Sequence, residues 1–249
     1  MHPIILHLGP LTIYTYGLML VVALLTVTAL AGRAAKTLPH APLSPAQAAD
    51  VSYVALIGGI LGGRLLFVLL NWSEFAAAPM EIAAIWRGGL VWYGGFFGGL
   101  AAVRAYVAMK RLPFLRVLDF YAPYIALGHA IGRIGCFFNG CCYGKPTDSW
   151  CGVVFPGQLD RVIPTQLLEA LGLAIIFLVL RRLPRAAFAA YLMLYALLRF
   201  CLEFLRGDQA MWWGGFTLQQ LISVAVGAAG LALFFLFRDA HLPVSRPGR

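Results

Sequence analysis

Polar and ionisable side chains that could act on an anionic group stand in stretches of the sequence that are otherwise apolar. The most informative stretch is residues 128–144, which holds His129, Arg133 and Asn139 among many glycines and apolar residues. His129 and Arg133 are four residues apart, so on a helix they share one face. A guanidinium can fork onto phosphate oxygens, and Asn139 can hydrogen-bond another oxygen. The stretch therefore predicts a site for a phosphate-like anion.

Two further arginines stand in apolar surroundings. Tyr195, Arg199 and Glu203 follow one another at intervals of four, which predicts a polar stripe along one helix. Arg64 ends a Gly-Gly-Arg run. An arginine inside a membrane span costs about 2.5–3.5 kcal/mol on insertion scales. Three of them, with few acids to pair them, favour an anion site; the alternative is a structural ion pair for each, such as Arg199 with Glu203.

Tyrosines beside glycines form two more motifs. Tyr93 lies in the glycine-rich run 88–99, and Tyr16 lies in the run 14–19. Glycines let helices approach closely and expose the phenol to whatever lies between them. The alternative for Tyr93 is helix packing, with the ring in the aromatic belt at a membrane surface.

The composition indicates the elements that must position these residues. Hydrophobic residues make up 61% of the 249 and charged residues 12%, whereas a soluble domain carries about 25% charged residues. A bilayer core needs roughly 20 helical residues. We therefore expect an all-α, polytopic integral membrane protein, one domain over 1–249, with about seven transmembrane helices. The predicted spans are 11–30, 51–70, 90–109, 120–138, 165–180, 186–205 and 216–237.

The net charge of +9 is explained by membrane topology and does not indicate nucleic-acid binding, because the basic residues form no continuous stripe. With the N-terminus outside, eleven basic residues fall in inner loops and four in outer loops. The inner ones are Arg33, Lys36, Lys110, Arg111, Arg116, Arg181, Arg182, Arg185, Arg238, Arg246 and Arg249. The outer ones are Arg87, Lys145, Arg161 and Arg206. The excess of basic residues in inner loops predicts an outer N-terminus and a cytoplasmic C-terminus.

The longest predicted outer segment is 139–163, which we expect to form a small outer (periplasmic) cap or a re-entrant region. Four of the five cysteines lie in or near it, namely Cys136, Cys141, Cys142 and Cys151. In an oxidising compartment Cys141 or Cys142 could form a disulfide with Cys151. Unpaired thiols and a reactive thiol are the alternatives. A zinc site fits less well, because no paired CxxC pattern is present.

Six segments resemble motifs of the prolipoprotein diacylglyceryl transferases, in order and over nearly the whole chain. The segments are 16–19, 62–64, 88–95, 132–140, 164–169 and 195–203. The chain departs from the family pattern at three positions. Tyr93 stands where the family has a histidine, Cys136 where it has an asparagine, and Cys141 where it often has an acid.

The resemblance implies an enzyme of the bacterial inner membrane that needs no cofactor or metal. It would move the diacylglyceryl group of phosphatidylglycerol to the lipobox cysteine of a preprolipoprotein signal peptide, forming a thioether and releasing glycerol phosphate. The candidate catalytic residues are Arg133, Arg199, Tyr93 and His129. The candidate substrate-binding residues are Tyr16, Arg64, Asn139, Gly144, Gln166, Tyr195 and Glu203.

The missing histidine leaves the proton acceptor open. Tyr93 takes its place, and we expect His129 to assist, because a neutral imidazole is a better base at neutral pH than a phenol. The alternative is that His129 only packs against a neighbouring helix. Two rival functions remain: a lipid-binding or transport protein, which would also use intramembrane arginines, and a relative with a changed acceptor or lost catalysis.

Overall fold

The computed structural model describes residues 3–8, 11–85, 88–183, 185–207 and 210–238. Eight α-helices lie within these residues: α1 Thr15–Thr37, α2 Pro45–Leu70, α3 Trp72–Ala77, α4 Trp92–Met109, α5 Phe114–Asn139, α6 Thr165–Leu180, α7 Ala187–Glu203 and α8 Leu218–Arg238. Strands β1 Ile4–Leu8 and β2 Leu11–Tyr14 form one antiparallel hairpin, and β3 Met211–Trp213 and β4 Phe216–Thr217 form another. A short 3₁₀ helix covers Pro79–Ala83.

Each of the seven apolar segments predicted from the sequence overlaps one of the long helices. In the part of the chain that the structure describes, three helical stretches are long and apolar enough to cross a membrane, Thr15–Thr37, Pro45–Leu70 and Leu218–Leu236, and α6 is a shorter apolar helix. The expectation of a helical membrane protein is thus confirmed in its coarse form. The basic residues Arg87, Arg246 and Arg249 of the topology prediction lie outside the described residues.

The start of a helix differs from the predicted position where capping side chains set it. Helix α2 begins six residues before the predicted span, because Ser44 and Gln47 form a capping box and Pro45 fits the first turn. The strands were not expected in an all-α protein. In the second hairpin Gly214 and Gly215 have φ of +60° and +79°, which glycine adopts without steric cost.

The chain divides into two compact units, one of residues 1–27 and 118–249 and the other of residues 28–117. In the first unit α5, α6 and α7 pack around small and branched side chains. The buried core residues are Ala122, Ala126, Ala130, Leu173, Ile176, Leu180, Ala187 and Tyr191. The alanines of α5 form a small-residue face against this core. At one end of this core, the backbone N–H of Phe188 donates to Asp119 (2.9 Å) and so caps the start of α7.

The second unit is built on close backbone contact between α2 and α4. Gly58 and Gly62 of α2 face Gly94 and Gly98 of α4. A Cβ atom on Gly98 would lie 2.5 Å from the carbonyl oxygen of Gly58 and 2.7 Å from Cα of Gly62. Glycine in both helices is what permits this contact.

The outward faces of the helices are apolar, as lipid contact requires. On α2, Ile57, Leu61, Leu65 and Leu69 recur every four residues and all are exposed. On α6, the exposed residues include Leu171, Ile175 and Leu178. Exposed apolar stripes of this length on helices that are themselves apolar are typical of membrane-embedded proteins.

The segment between α5 and α6 is folded. Val153 and Val162 form an antiparallel β-bridge, and the backbone N–H of Ser149 donates to the hydroxyl of Thr147. Phe155 is 1% exposed. The backbone N–H of Lys145 donates to the carbonyl of Leu205 (2.8 Å), which ties the segment to the end of α7. A folded cap at this point was predicted; its position outside the membrane stays a prediction.

Candidate active site around Glu169

A buried carboxylate joins three helices of the first unit. Glu169 of α6 is 2% exposed. Arg133 of α5 donates from Nη2 to its Oε2, and Tyr195 of α7 donates its hydroxyl to Oε1 at 3.1 Å. His129 Nε2 lies 3.8 Å from the same Oε1, and its ring centroid is 4.9 Å from that of Tyr195. Charged groups within a membrane span pair with one another and mark functional sites, so this cluster is the first candidate.

One of the N–H donors of the Arg133 guanidinium has no partner among the described residues. Its Nη2 binds Glu169, and its Nη1 lies 4.0 Å from Sγ of Cys136. Its Nε is buried and has no hydrogen-bond partner among the described residues. A buried donor left without a partner is rare and requires an explanation. A bound anionic oxygen would satisfy it.

A second ion pair lies one turn further along α7. Arg199 Nη2 is 2.7 Å from Glu203 Oε2, and the Glu203 side chain has no exposed surface. Thr217 donates its hydroxyl to Oε1 of Glu203 at 3.0 Å. The predicted stripe of Tyr195, Arg199 and Glu203 on one helix is therefore present, and the ion pair that the sequence left open forms.

Acidic partners correct one premise of the sequence analysis. We expected few acids to be available for the arginines, yet Arg133 and Arg199 each have one. The number of acidic residues in the sequence does not show which of them contact the arginines. The fold brings Glu169 to Arg133 and Glu203 to Arg199. Both guanidinium groups lie close enough to His129 to act on it electrostatically. That they bind one ligand together stays a prediction.

The other predicted residues of this unit surround the end of α5. Tyr16 lies against Gly135, where a Cβ would be 3.3 Å from its ring. Asn139 is the exposed last residue of α5. Gly144 is enclosed, and its N–H donates to Ile163 (2.8 Å). Gln166 is 1% exposed and donates from Nε2 to the carbonyl of Cys141 at 2.6 Å.

Arg64 and Tyr93 belong to the second unit. Arg64 is 7% exposed and donates to the carbonyls of Glu81 (2.6 Å), Ile82 (3.0 Å), Gly88 (2.7 Å) and Gly89 (3.2 Å). These hydrogen bonds hold the segment between α3 and α4 against Arg64. Tyr93, in the first turn of α4, is 42% exposed and packs edge-on against Trp92. Roles for both in substrate binding or catalysis stay predictions.

All five cysteines are free thiols, so the disulfide considered from the sequence is not formed. Cys151 lies beside the hydroxyl of Ser149 at 3.2 Å. Among the described residues, no group of three or more His, Cys, Asp or Glu side chains is arranged to hold a metal ion.

Glu169 is the site residue that the sequence analysis missed. It closes the segment 164–169 that was matched to the family, but only Gln166 was taken from that segment as a site residue. The available signal was an acid inside a predicted span, which is costly unless it is paired or functional.

Comparison with known proteins agrees with the motifs. The sequence model of the family described as prolipoprotein diacylglyceryl transferase matches residues 3–236. A protein of Methylococcus capsulatus named phosphatidylglycerol–prolipoprotein diacylglyceryl transferase is 35% identical over 93% of both chains. Proteins of the same name from Nostoc sp. (34% identical, 97% of this chain and 92% of the other) and Bordetella bronchiseptica (36%, 93% and 94%) are similar over the same extent. The resemblance read from the motifs is confirmed, and the chain belongs to the prolipoprotein diacylglyceryl transferase family.

Proposed function

We propose that this protein transfers the diacylglyceryl group of phosphatidylglycerol to the lipobox cysteine thiol of preprolipoproteins. The C–O bond between the diacylglyceryl carbon and the phosphate ester oxygen breaks, and a C–S bond forms. The thiol loses its proton, and glycerol phosphate leaves with the bond's electron pair. Preprolipoprotein signal peptides and phosphatidylglycerol are then the partners, and no cofactor takes part.

The observation that carries this proposal is the unpartnered Nε of the buried Arg133. Glu169 fixes one edge of the guanidinium, which leaves a donor for a phosphate oxygen of the lipid. Negative charge grows on the phosphate as the thiolate attacks, and preorganised donors stabilise such charge most where water is excluded. Arg199, held by Glu203, supplies a second cation near His129.

The remaining parts of the proposal concern roles and topology. His129 or Tyr93 accepts the thiol proton, while Tyr16, Asn139, Gly144 and Gln166 shape the site. Seven helices of a single domain over 1–249 cross the bacterial inner membrane, with the N-terminus outside, the 139–163 cap on the periplasmic face and the C-terminus in the cytoplasm. The asymmetry of the basic residues supports this orientation. A periplasm-dependent reporter fused after Arg249 should be inactive; an active fusion would reverse the orientation.

An assay of the purified protein in lipid nanodiscs tests the reaction. With phosphatidylglycerol and a lipobox peptide, mass spectrometry should show a thioether-linked diacylglyceryl peptide. Arg133→Ala should abolish the product, whereas Arg182→Ala, in the exposed loop between α6 and α7, should not. A folded protein that binds phosphatidylglycerol but never forms the product would instead favour a lipid-binding protein or a relative that has lost catalysis.

A further inference from the structure

Three thiols gather where α5 ends, next to Arg133. Cys136 lies in the last turn of α5, and Cys141 and Cys142 follow in the loop. All three are free thiols, and Sγ of Cys141 lies 3.7 Å from the carbonyl oxygen of Cys136. We propose that Cys136 and Cys141 form a reversible disulfide and that this bond switches the Arg133 site between two states.

The backbone already holds this pair at a suitable separation. The N–H of Cys141 donates to the carbonyl of Cys136 at 3.3 Å, and Sγ of Cys141 lies 3.7 Å from the same oxygen. Standard bond lengths then keep the two Cα atoms within about 7 Å of each other. A disulfide needs Cα atoms about 4.4–6.8 Å apart, so little backbone movement is required.

Neither of the other pairings is prepared in this way. A bond between the adjacent Cys141 and Cys142 would close a small strained ring. The carbonyl of Cys142 is held by the hydroxyl of Thr165 at 2.8 Å, and its φ of +66° turns the chain at this residue. Cys151 is engaged with Ser149.

The oxidation is a thiol–disulfide exchange. Cys136 and Cys141 each lose a proton and together give two electrons to a low-molecular-weight disulfide such as oxidised glutathione, which leaves as two thiols. Arg133 Nη1 lies 4.0 Å from Sγ of Cys136, one of the two sulfurs that enter the bond.

Two contacts connect this bond to the Glu169 cluster. Oxidation removes the Cys136 thiol that Arg133 contacts. It also moves Cys141. The carbonyl of Cys141 accepts a hydrogen bond from the fully buried Gln166, which precedes Glu169 by less than one turn of α6. Both Arg133 and its carboxylate partner are thereby displaced, so we expect slower transfer in the oxidised state. This coupling rests on the proposed function; the disulfide itself does not.

Thiol counting on the full chain in nanodiscs tests the bond. After equilibration with reduced glutathione, alkylation should label five cysteines; with oxidised glutathione it should label three, because two sulfurs enter the bond. Chymotrypsin cleaves after Phe137 and Phe138, so Cys136 and Cys141 should then appear in two peptides linked by a disulfide. Transfer should fall several-fold on oxidation and recover with a reductant.

Single variants identify the pair. Cys136→Ser and Cys141→Ser should each keep four labelled thiols under oxidising conditions and show transfer that glutathione does not change. Cys151→Ser is the matched control and should still lose two thiols. Five labelled cysteines in the oxidised wild type, or loss of two thiols in Cys136→Ser, would overturn the disulfide. A disulfide without any change in transfer would refute the coupling alone, and failure of both redox forms to transfer would refute the proposed function instead.

Discussion

Glu169 and Arg133 form an ion pair between α6 and α5 in which the glutamate side chain is 3% exposed and the arginine 15%. Removing one partner of a buried pair leaves an uncompensated charge, at a cost of about 3–5 kcal/mol. The same contact fixes the orientation of the guanidinium. Stability and transfer are therefore expected to depend together on this carboxylate.

Glu169→Gln should lower the free energy of unfolding by about 3–5 kcal/mol and transfer by about a hundredfold, because Arg133 loses both its charge partner and its fixed position. Thermal unfolding and product formation in nanodiscs measure the two effects. Glu74→Gln, an exposed glutamate of the second unit, is the control and should change neither. Unchanged transfer in Glu169→Gln would show that Arg133 does not depend on this partner.

Tyr195→Phe should have a smaller effect, because it removes only the 3.1 Å hydrogen bond to Oε1 and leaves the ion pair intact. Loss of one buried hydrogen bond is worth about 1–3 kcal/mol of unfolding free energy. Tyr191→Phe, whose ring stacks on Tyr195, should preserve transfer. A loss in Tyr195→Phe equal to that of Glu169→Gln would give the hydroxyl a role beyond supporting the carboxylate.

Arg199→Lys separates charge from geometry. Lysine can keep the ion pair with Glu203, so the unfolding temperature should change little. It cannot fork onto phosphate, and loss of a preorganised donor costs about 10²–10³-fold in rate. Arg133→Lys should lose activity in the same way, and Arg182→Lys should not. Full activity in both lysine variants would leave only a charge requirement and contradict phosphate binding by an oriented guanidinium.

His129→Gln and Tyr93→Phe decide which group accepts the thiol proton. If His129 is the base, its imidazole takes the thiol proton, and an amide cannot replace it in this role. His129→Gln should then be nearly inactive at every pH from 6 to 8. Full activity of His129→Gln would make it a packing residue, and full activity of Tyr93→Phe as well would remove both from the proton transfer.

Gly98→Ala should destabilise the second unit by about 1–3 kcal/mol, because the added methyl group collides with the backbone of α2 and must force the helices apart. Gly32→Ala is a matched control in the same unit, since nothing lies within 4 Å of the added atom. It should be neutral or slightly stabilising. Thermal unfolding of the two variants in the same detergent makes the comparison, and equal unfolding temperatures would argue against close packing of α2 on α4.

The sequence by itself determined the helical, membrane-embedded class of the protein and its family. Runs of apolar residues must be helical in lipid, because no water is present to satisfy the backbone. Arg133, His129, Tyr195 and Arg199 could be selected from their cost inside such runs and from their spacing on a helix face.

Only the tertiary structure decided what these side chains contact. Glu169 is 36 residues from Arg133 and 26 from Tyr195, and no helical periodicity relates positions so far apart. Packing of α5, α6 and α7 brings them together around one carboxylate. The same holds for Arg64, which the sequence could not distinguish from a ligand-binding arginine. Its donors are taken by carbonyls 17 to 25 residues away, and the path of that connecting segment is set by how the second unit folds.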